Sequence, residues 1–118
     1  MRVCLLLIVV VLSGCGEPLS KATPEREAAS RLLAPQDPAL AAIYARSCRN
    51  CHTVAATGAP LTGDAAAWTP RMSKSMGVLV GSVVNGFGGM PPFGLCMDCD
   101  ARQFEGLIQF MAAPESVP

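Results

Sequence analysis

The chain is short of histidine, of any charge excess and of long apolar runs, and each shortage removes a class of function. Its one histidine is His52. A site that needs a second imidazole for acid–base work is therefore excluded. Nine Lys and Arg face nine Asp and Glu, so there is no basic excess to hold a nucleic acid backbone. The longest apolar run covers residues 3–12, whereas crossing a bilayer takes about 20 apolar residues. Beyond that run nothing approaches a span, and the 51% hydrophobic content is raised by it. Six cysteines stand out against this background, four of them in two C-x-x-C pairs.

The first pair continues into His52: Cys48-Arg49-Asn50-Cys51-His52. On a helix, positions i, i+3 and i+4 share one face, so two sulfurs and an imidazole point at one object. A c-type haem fits that trio, with thioethers from Cys48 and Cys51 and with His52 reaching the iron. Taken alone, C-x-x-C also reads as a zinc half-site or a redox dithiol. The second pair, Cys96-Met97-Asp98-Cys99, makes a four-thiol zinc site formally available.

Compartment bears on that choice. Arg2, the apolar run 3–12 and the small residues Ser13 and Gly14 read as an export signal over residues 1–14. Leu12-Ser13-Gly14-Cys15 resembles a bacterial lipobox, which implies cleavage before Cys15 and a diacylglycerol on its thiol. Gly16 rather than Asp after that cysteine implies the outer membrane. The rival readings are an ordinary signal peptide with an incidental Cys15, or an uncleaved anchor. Export also settles the cysteine arithmetic. Cys4 leaves with the signal, Cys15 takes lipid, Cys48 and Cys51 take haem, and Cys96 and Cys99 can pair in an oxidising compartment. Zinc would need all four thiols reduced where disulfides form. Loss of Arg2 leaves a net charge near −1.

Residues 15–36 hold Pro18, Pro24 and Pro35 among small and charged residues, and read as a lipid-anchored flexible tether. Its reach is about 70 Å fully extended and about 25 Å r.m.s. as a coil. Thr23-Pro24-Glu25 offers a competing helix start running to Leu33. Residues 37–118 form the one globular domain. A domain of this size buries only about 60% of its unfolded surface and is marginal without a covalent group in its core.

Three helices are expected in that domain. Asp37 caps the first, with Pro38 at its first position and Leu40, Ile43, Tyr44 and Ser47 on one face. Ser75 caps the second, whose stripe is Met76, Leu79, Val80 and Val83 and whose stop is Asn85-Gly86. Asp100 and Gln103 open the third like a capping box, ahead of Phe104, Leu107, Ile108 and Met111. Both later stripes read as ordinary core. Asp64 to Thr69 adds a short turn stopped by Pro70. Between the second and third helices, Gly86-Phe87-Gly88-Gly89-Met90-Pro91-Pro92-Phe93-Gly94 excludes regular structure while carrying three large apolar side chains. Such a loop packs on something flat and presents Met90.

From Tyr44 onward, about 70 residues resemble the small class I cytochromes c of the cytochrome c5 type. The resemblance rests on Tyr44 four before the first haem cysteine, the C-x-x-C-H, Gly58-Ala59-Pro60, Ala67-Trp68 with Pro70-Arg71, Asn85-Gly86, Gly89-Met90-Pro91-Pro92, and the second C-x-x-C. It implies an all-α class I cytochrome c fold of three to four helices around one covalent haem c. It further implies His52 and Met90 as axial iron ligands, a Cys96–Cys99 disulfide, and one-electron transfer rather than enzymatic turnover. Trp68 and Arg71 are implied as propionate donors; the alternative for them is a core Trp and a solvated Arg. Arg46, Arg49 and Lys74 read as solvated or partner-docking charges.

Elimination points to Met90 as well. Met1 leaves with the signal, Met76 and Met111 lie on helical stripes, Met72 has no loop to aim it, and Met97 is confined between two cysteines. Lys74 would first have to lose a proton with a reference pKa of about 10.4. The expected role is a periplasmic respiratory carrier between redox proteins: reductases, oxidases or other cytochromes. The competing classes are a haem peroxidase or gas-binding domain with an open distal site, and a structural lipoprotein whose C-x-x-C pairs are only disulfides.

Overall fold

Thr23, Asp37, Asp64, Ser75 and Asp100 each accept a backbone N–H from three residues on, and each starts a helix. In the computed structural model, which describes residues 22–113, these helices are α1 (Pro24–Leu32), α2 (Pro38–Ile43), α4 (Ala65–Met72), α5 (Met76–Asn85) and α6 (Ala101–Ala112). A π turn (Tyr44–Cys48) carries α2 into the short α3 (Arg49–His52). Single 3₁₀ turns cover Ala55–Thr57 and Pro92–Leu95. Among the described residues there is no strand, only an isolated bridge between Phe87 and Met90. The expected all-α fold is the one observed.

The core forms where α2, the π turn, α4 and α6 meet. Ile43, Tyr44, Trp68, Cys96, Phe104, Leu107, Ile108 and Met111 are all buried in one cluster. Gly106 lets α6 cross α2 closely, since a Cβ there would lie 3.0 Å from Leu40 Cδ1. The Tyr44 ring meets Phe110 edge-on at 5.0 Å, and its hydroxyl bonds Thr62 Oγ1 at 2.9 Å.

Three expectations need correction. Residues 15–36 are not a flexible tether throughout: α1 is a helix within it, and Ser30 in its last turn is 1% exposed. Its side chains bond the backbone of residues 52–55 and the Asp64 carboxylate, contacts more than 20 residues away that local composition does not register. Pro70 does not stop the short turn either, because α4 runs through it to Met72. Proline removes one intrahelical bond, but Trp68 anchors the turn in the core and the Arg71 side chain bonds the Ala67 carbonyl. Finally, the α5 stripe is not ordinary core, since none of its residues is fully buried.

The 1–14 signal segment and Cys15 lie outside the described residues. No helix among the described residues is long and apolar enough to cross a membrane.

Candidate haem-binding cleft

The π turn widens the helix just ahead of the C-x-x-C-H run, and α3 then presents its residues in one short turn. Cys48 is half-buried, Cys51 exposed and His52 buried, and all three line a single open cleft. Met90 lines the same cleft from the Gly-Pro loop, with Leu79 and Val83 of α5 and Trp68 and Arg71 of α4. The lining is mainly apolar. Both thiols of the first pair are free, whereas Cys96 and Cys99 are joined by a disulfide.

His52 is held from two sides. Its Nδ1 lies 2.8 Å from the Pro60 carbonyl oxygen. A carbonyl only accepts, so Nδ1 carries the proton. Burial holds the His52 pKa below the ordinary imidazole range, which keeps the ring neutral and leaves Nε2 as a free lone pair. The His52 carbonyl accepts from Thr62 N–H at 2.8 Å and from the Ser30 hydroxyl at 3.1 Å. Thr62 is fixed in turn by Tyr44, and Leu61 by the Trp68 indole N–H at 2.9 Å. Burial pushes the Cys48 thiol up to about 11.

The distal loop is built from local backbone chemistry. Gly86 takes φ 80°, and a Cβ there would sit 3.0 Å from the Met90 carbonyl oxygen. Phe87 and Met90 then exchange two backbone hydrogen bonds of 3.0 and 2.9 Å, closing a four-residue turn that fixes Met90 at its end. Met90 and Met111 are the methionines among the described residues that line the cleft; Met111 belongs to the buried α6 stripe, and Met90 stands on the loop. Met97 is 72% exposed.

Trp68 lines the cleft from the core, and its indole N–H donates to the Leu61 carbonyl. Arg46 is not a free surface charge: its Nη2 lies 2.9 Å from both Asp98 carboxylate oxygens and 3.2 Å from Cys96 Sγ, tying the disulfide loop to the π turn. Arg71 donates to the Ala67 carbonyl and borders the cleft. Ser30 and Thr62 carried no sequence signal; Tyr44 and Pro60 did, through the motif positions they occupy.

The family described as "Cytochrome C oxidase, cbb3-type, subunit III" matches residues 35–111. The chain belongs to the cytochrome c family. Cytochrome c-555 of Chlorobaculum thiosulfatiphilum is 44% identical over 48 residues, which is 41% of this chain and 56% of that protein. Cytochrome c-555 of Chlorobaculum tepidum is likewise 44% identical over 48 residues, covering 41% of this chain and 44% of that protein. The match thus spans about half the length of these curated relatives. A solved structure titled "Crystal structure of electron transfer complex of nitrite reductase with cytochrome c" contains a chain similar to this one with a TM-score of 0.57 and 31% identity. It covers 66% of this chain and 95% of that one. For a cytochrome c, the donor set fits a haem c: two free thiols, a neutral imidazole with Nε2 available, and a thioether, all on one apolar cleft. The family span begins at residue 35, so α1 lies ahead of it.

Proposed function

We propose that this cytochrome is a one-electron carrier of the c5 type, holding one haem c through Cys48 and Cys51 with His52 and Met90 as axial ligands. The observation that carries the reading is the convergence of these four side chains on one cleft, with His52 Nδ1 occupied by Pro60. When bound there, haem supplies an Fe(III)/Fe(II) couple. The chain's own residues do the rest. Pro60 orients the imidazole and fixes its tautomer. The Phe87–Met90 turn holds the thioether in place, and a thioether ligand favours a higher potential than a second imidazole. Leu79, Val83, Leu107 and Ile108 keep water off the cleft walls. With both axial positions taken by protein side chains and no second histidine in the chain, the site moves electrons and does no bond chemistry.

Partner and place follow from the same reading. Phe87 and Leu95 border the cleft at 65% and 69% exposure, an apolar rim suited to transient docking of a redox protein. The solved neighbour comes from an electron transfer complex with nitrite reductase, which supports a redox protein as partner in kind. Residues 1–14 act as a lipoprotein signal and Cys15 carries the lipid, placing the domain in a bacterial periplasm on the outer membrane. With α1 docked, the span from Cys15 to Thr23 reaches only about 28 Å, not 70 Å. The haem domain then works close to the membrane surface.

One preparation tests both halves. Intact mass of the full-length protein should show a chain starting at Cys15 with diacylglycerol and one covalent haem. The oxidised protein should show a weak sulfur-to-iron band at the red end of its spectrum. Met90→Ala should abolish that band, lower the potential and open the iron to small ligands. Loss of the band in Met111→Leu with its retention in Met90→Ala would reverse the assignment.

A further inference from the structure

Helix α1 lies ahead of the span shared with the family, yet its side chains converge on the peptide that carries the proximal histidine. The Ser30 hydroxyl, 1% exposed, donates to the His52 carbonyl at 3.1 Å. Arg31 Nε donates to the Thr53 carbonyl at 3.4 Å, and Glu27 Oε2 accepts the Ala55 N–H at 2.7 Å. Arg49, inside the C-x-x-C-H run, donates back to the Arg31 carbonyl at 2.9 Å. Three sites on residues 52–55 are thus held by one face of α1. A fifth contact, Arg26 to Asp64 at 3.4 Å, anchors the same helix away from that segment.

We propose that α1 is a positioning element for the proximal ligand, with Ser30 and Glu27 setting the orientation of His52 from behind; the proposal rests on His52 being the iron ligand. The physical case is that an imidazole turns about its Cα–Cβ and Cβ–Cγ bonds, so its aim depends on where the backbone is held. Pro60 fixes the ring and Thr62 and Ser30 fix the carbonyl, which leaves the residue no free end. Partners that orient a ligating histidine tune the metal's properties as well as its affinity. Glu27 is the stronger of the two contacts, because its acceptor is ionised and the bond is short. Removal of either lets residues 52–55 open locally and admits water on the proximal side, which favours the more charged ferric state and lowers the potential.

The test uses the full-length haem-loaded protein and three variants: Ser30→Ala, Glu27→Gln and Arg26→Ala. The last weakens α1 docking without touching residues 52–55. Expected results are a lowered midpoint potential and displaced hyperfine-shifted His52 ring resonances for Ser30→Ala and Glu27→Gln. The Ala55 amide should exchange with solvent about tenfold faster in Glu27→Gln, the factor a lost charge-assisted bond implies. Arg26→Ala should lower thermal stability while leaving potential and ring resonances in place. Restoration by Ser30→Thr, which keeps the hydroxyl, would tie the effect to the hydrogen bond. Unmoved potential and ring resonances in both Ser30→Ala and Glu27→Gln overturn the proposal, as does an equal displacement in Arg26→Ala. Absence of shifted His52 resonances from the parent protein overturns the ligation reading, and the proposal with it.

Discussion

Helices α5 and α6 carry the same apolar spacing and end in different environments. Phe104, Leu107, Ile108 and Met111 recur at i, i+3, i+4 and i+7 on α6, and all four are buried at 1–5% exposure. Met76, Leu79, Val80 and Val83 repeat the pattern on α5, and all remain half-buried. Helix α6 is enclosed by α2, α4 and α5, with Gly106 letting Leu40 approach. Helix α5 packs on α6 and on the turn at 92–95, and turns Leu79 and Val83 toward the cleft. A periodic stripe shows which face is apolar; it does not show what covers that face. Here the α6 stripe is buried in the core and also lines the cleft, while the α5 stripe stays half-buried and lends the cleft only Leu79 and Val83.

Substitution of one leucine on each helix would break this comparison most directly. Leu107→Ala should cost about 2–5 kcal/mol in denaturant unfolding, the range for a fully buried leucine. Leu79→Ala should cost about 1 kcal/mol, in proportion to its partial burial. Equal losses would mean that the two stripes are buried alike in the working protein.

The disulfide sharpens the comparison, because Cys99 immediately precedes Asp100, the cap of α6. Cross-linking so short a loop stabilises by about 2 kcal/mol on the chain-entropy model. Reduction should therefore lower the melting temperature through α6 while the haem spectrum stays nearly unchanged. A dithiol that titrates together with the haem would contradict this assignment.

The smallest effect concerns the ion pair on the same loop. Hydrogen bonds from the Arg46 guanidinium hold the Asp98 carboxyl below its ordinary value of 3.8. A carboxyl with a lowered folded-state pKa stabilises the fold above its ordinary value and loses that contribution as pH falls through the lowered one. Asp98→Asn should thus melt slightly below the parent at neutral pH, and the gap should close on acidification. A gap that persists in acid would mean that Asp98 acts through something other than its charge.

Much of the site was legible because it is local. The C-x-x-C-H run, the Gly-Met-Pro-Pro loop and the second C-x-x-C each occupy a few adjacent residues, and their chemistry depends on spacing that the chain itself sets. The hydrogen-bond partner of Trp68 was not legible, since an indole donor bonds whichever acceptor the fold brings within reach, and that acceptor is the Leu61 carbonyl. Helix α1 was read both as a helix and as disorder. Its cap and first-turn acids favour the helix weakly, and nine residues do not hold a helix alone in water.

By itself, then, the sequence determined where helices start and stop at Asp37, Ser75, Asn85-Gly86 and Asp100, and which thiols, imidazole and thioether are available for a haem. Caps, turns and covalent attachment motifs act over three to five residues, so they survive in a one-dimensional reading. Only the tertiary structure decided that the α6 stripe is fully buried while the α5 stripe stays half-buried, that Arg46 ties down the disulfide loop, that Ser30 reaches the His52 carbonyl and that Glu27 reaches the Ala55 amide. Each of these depends on which atom a side chain meets 20 to 50 residues away, and that partner is chosen by packing, to which local spacing is blind.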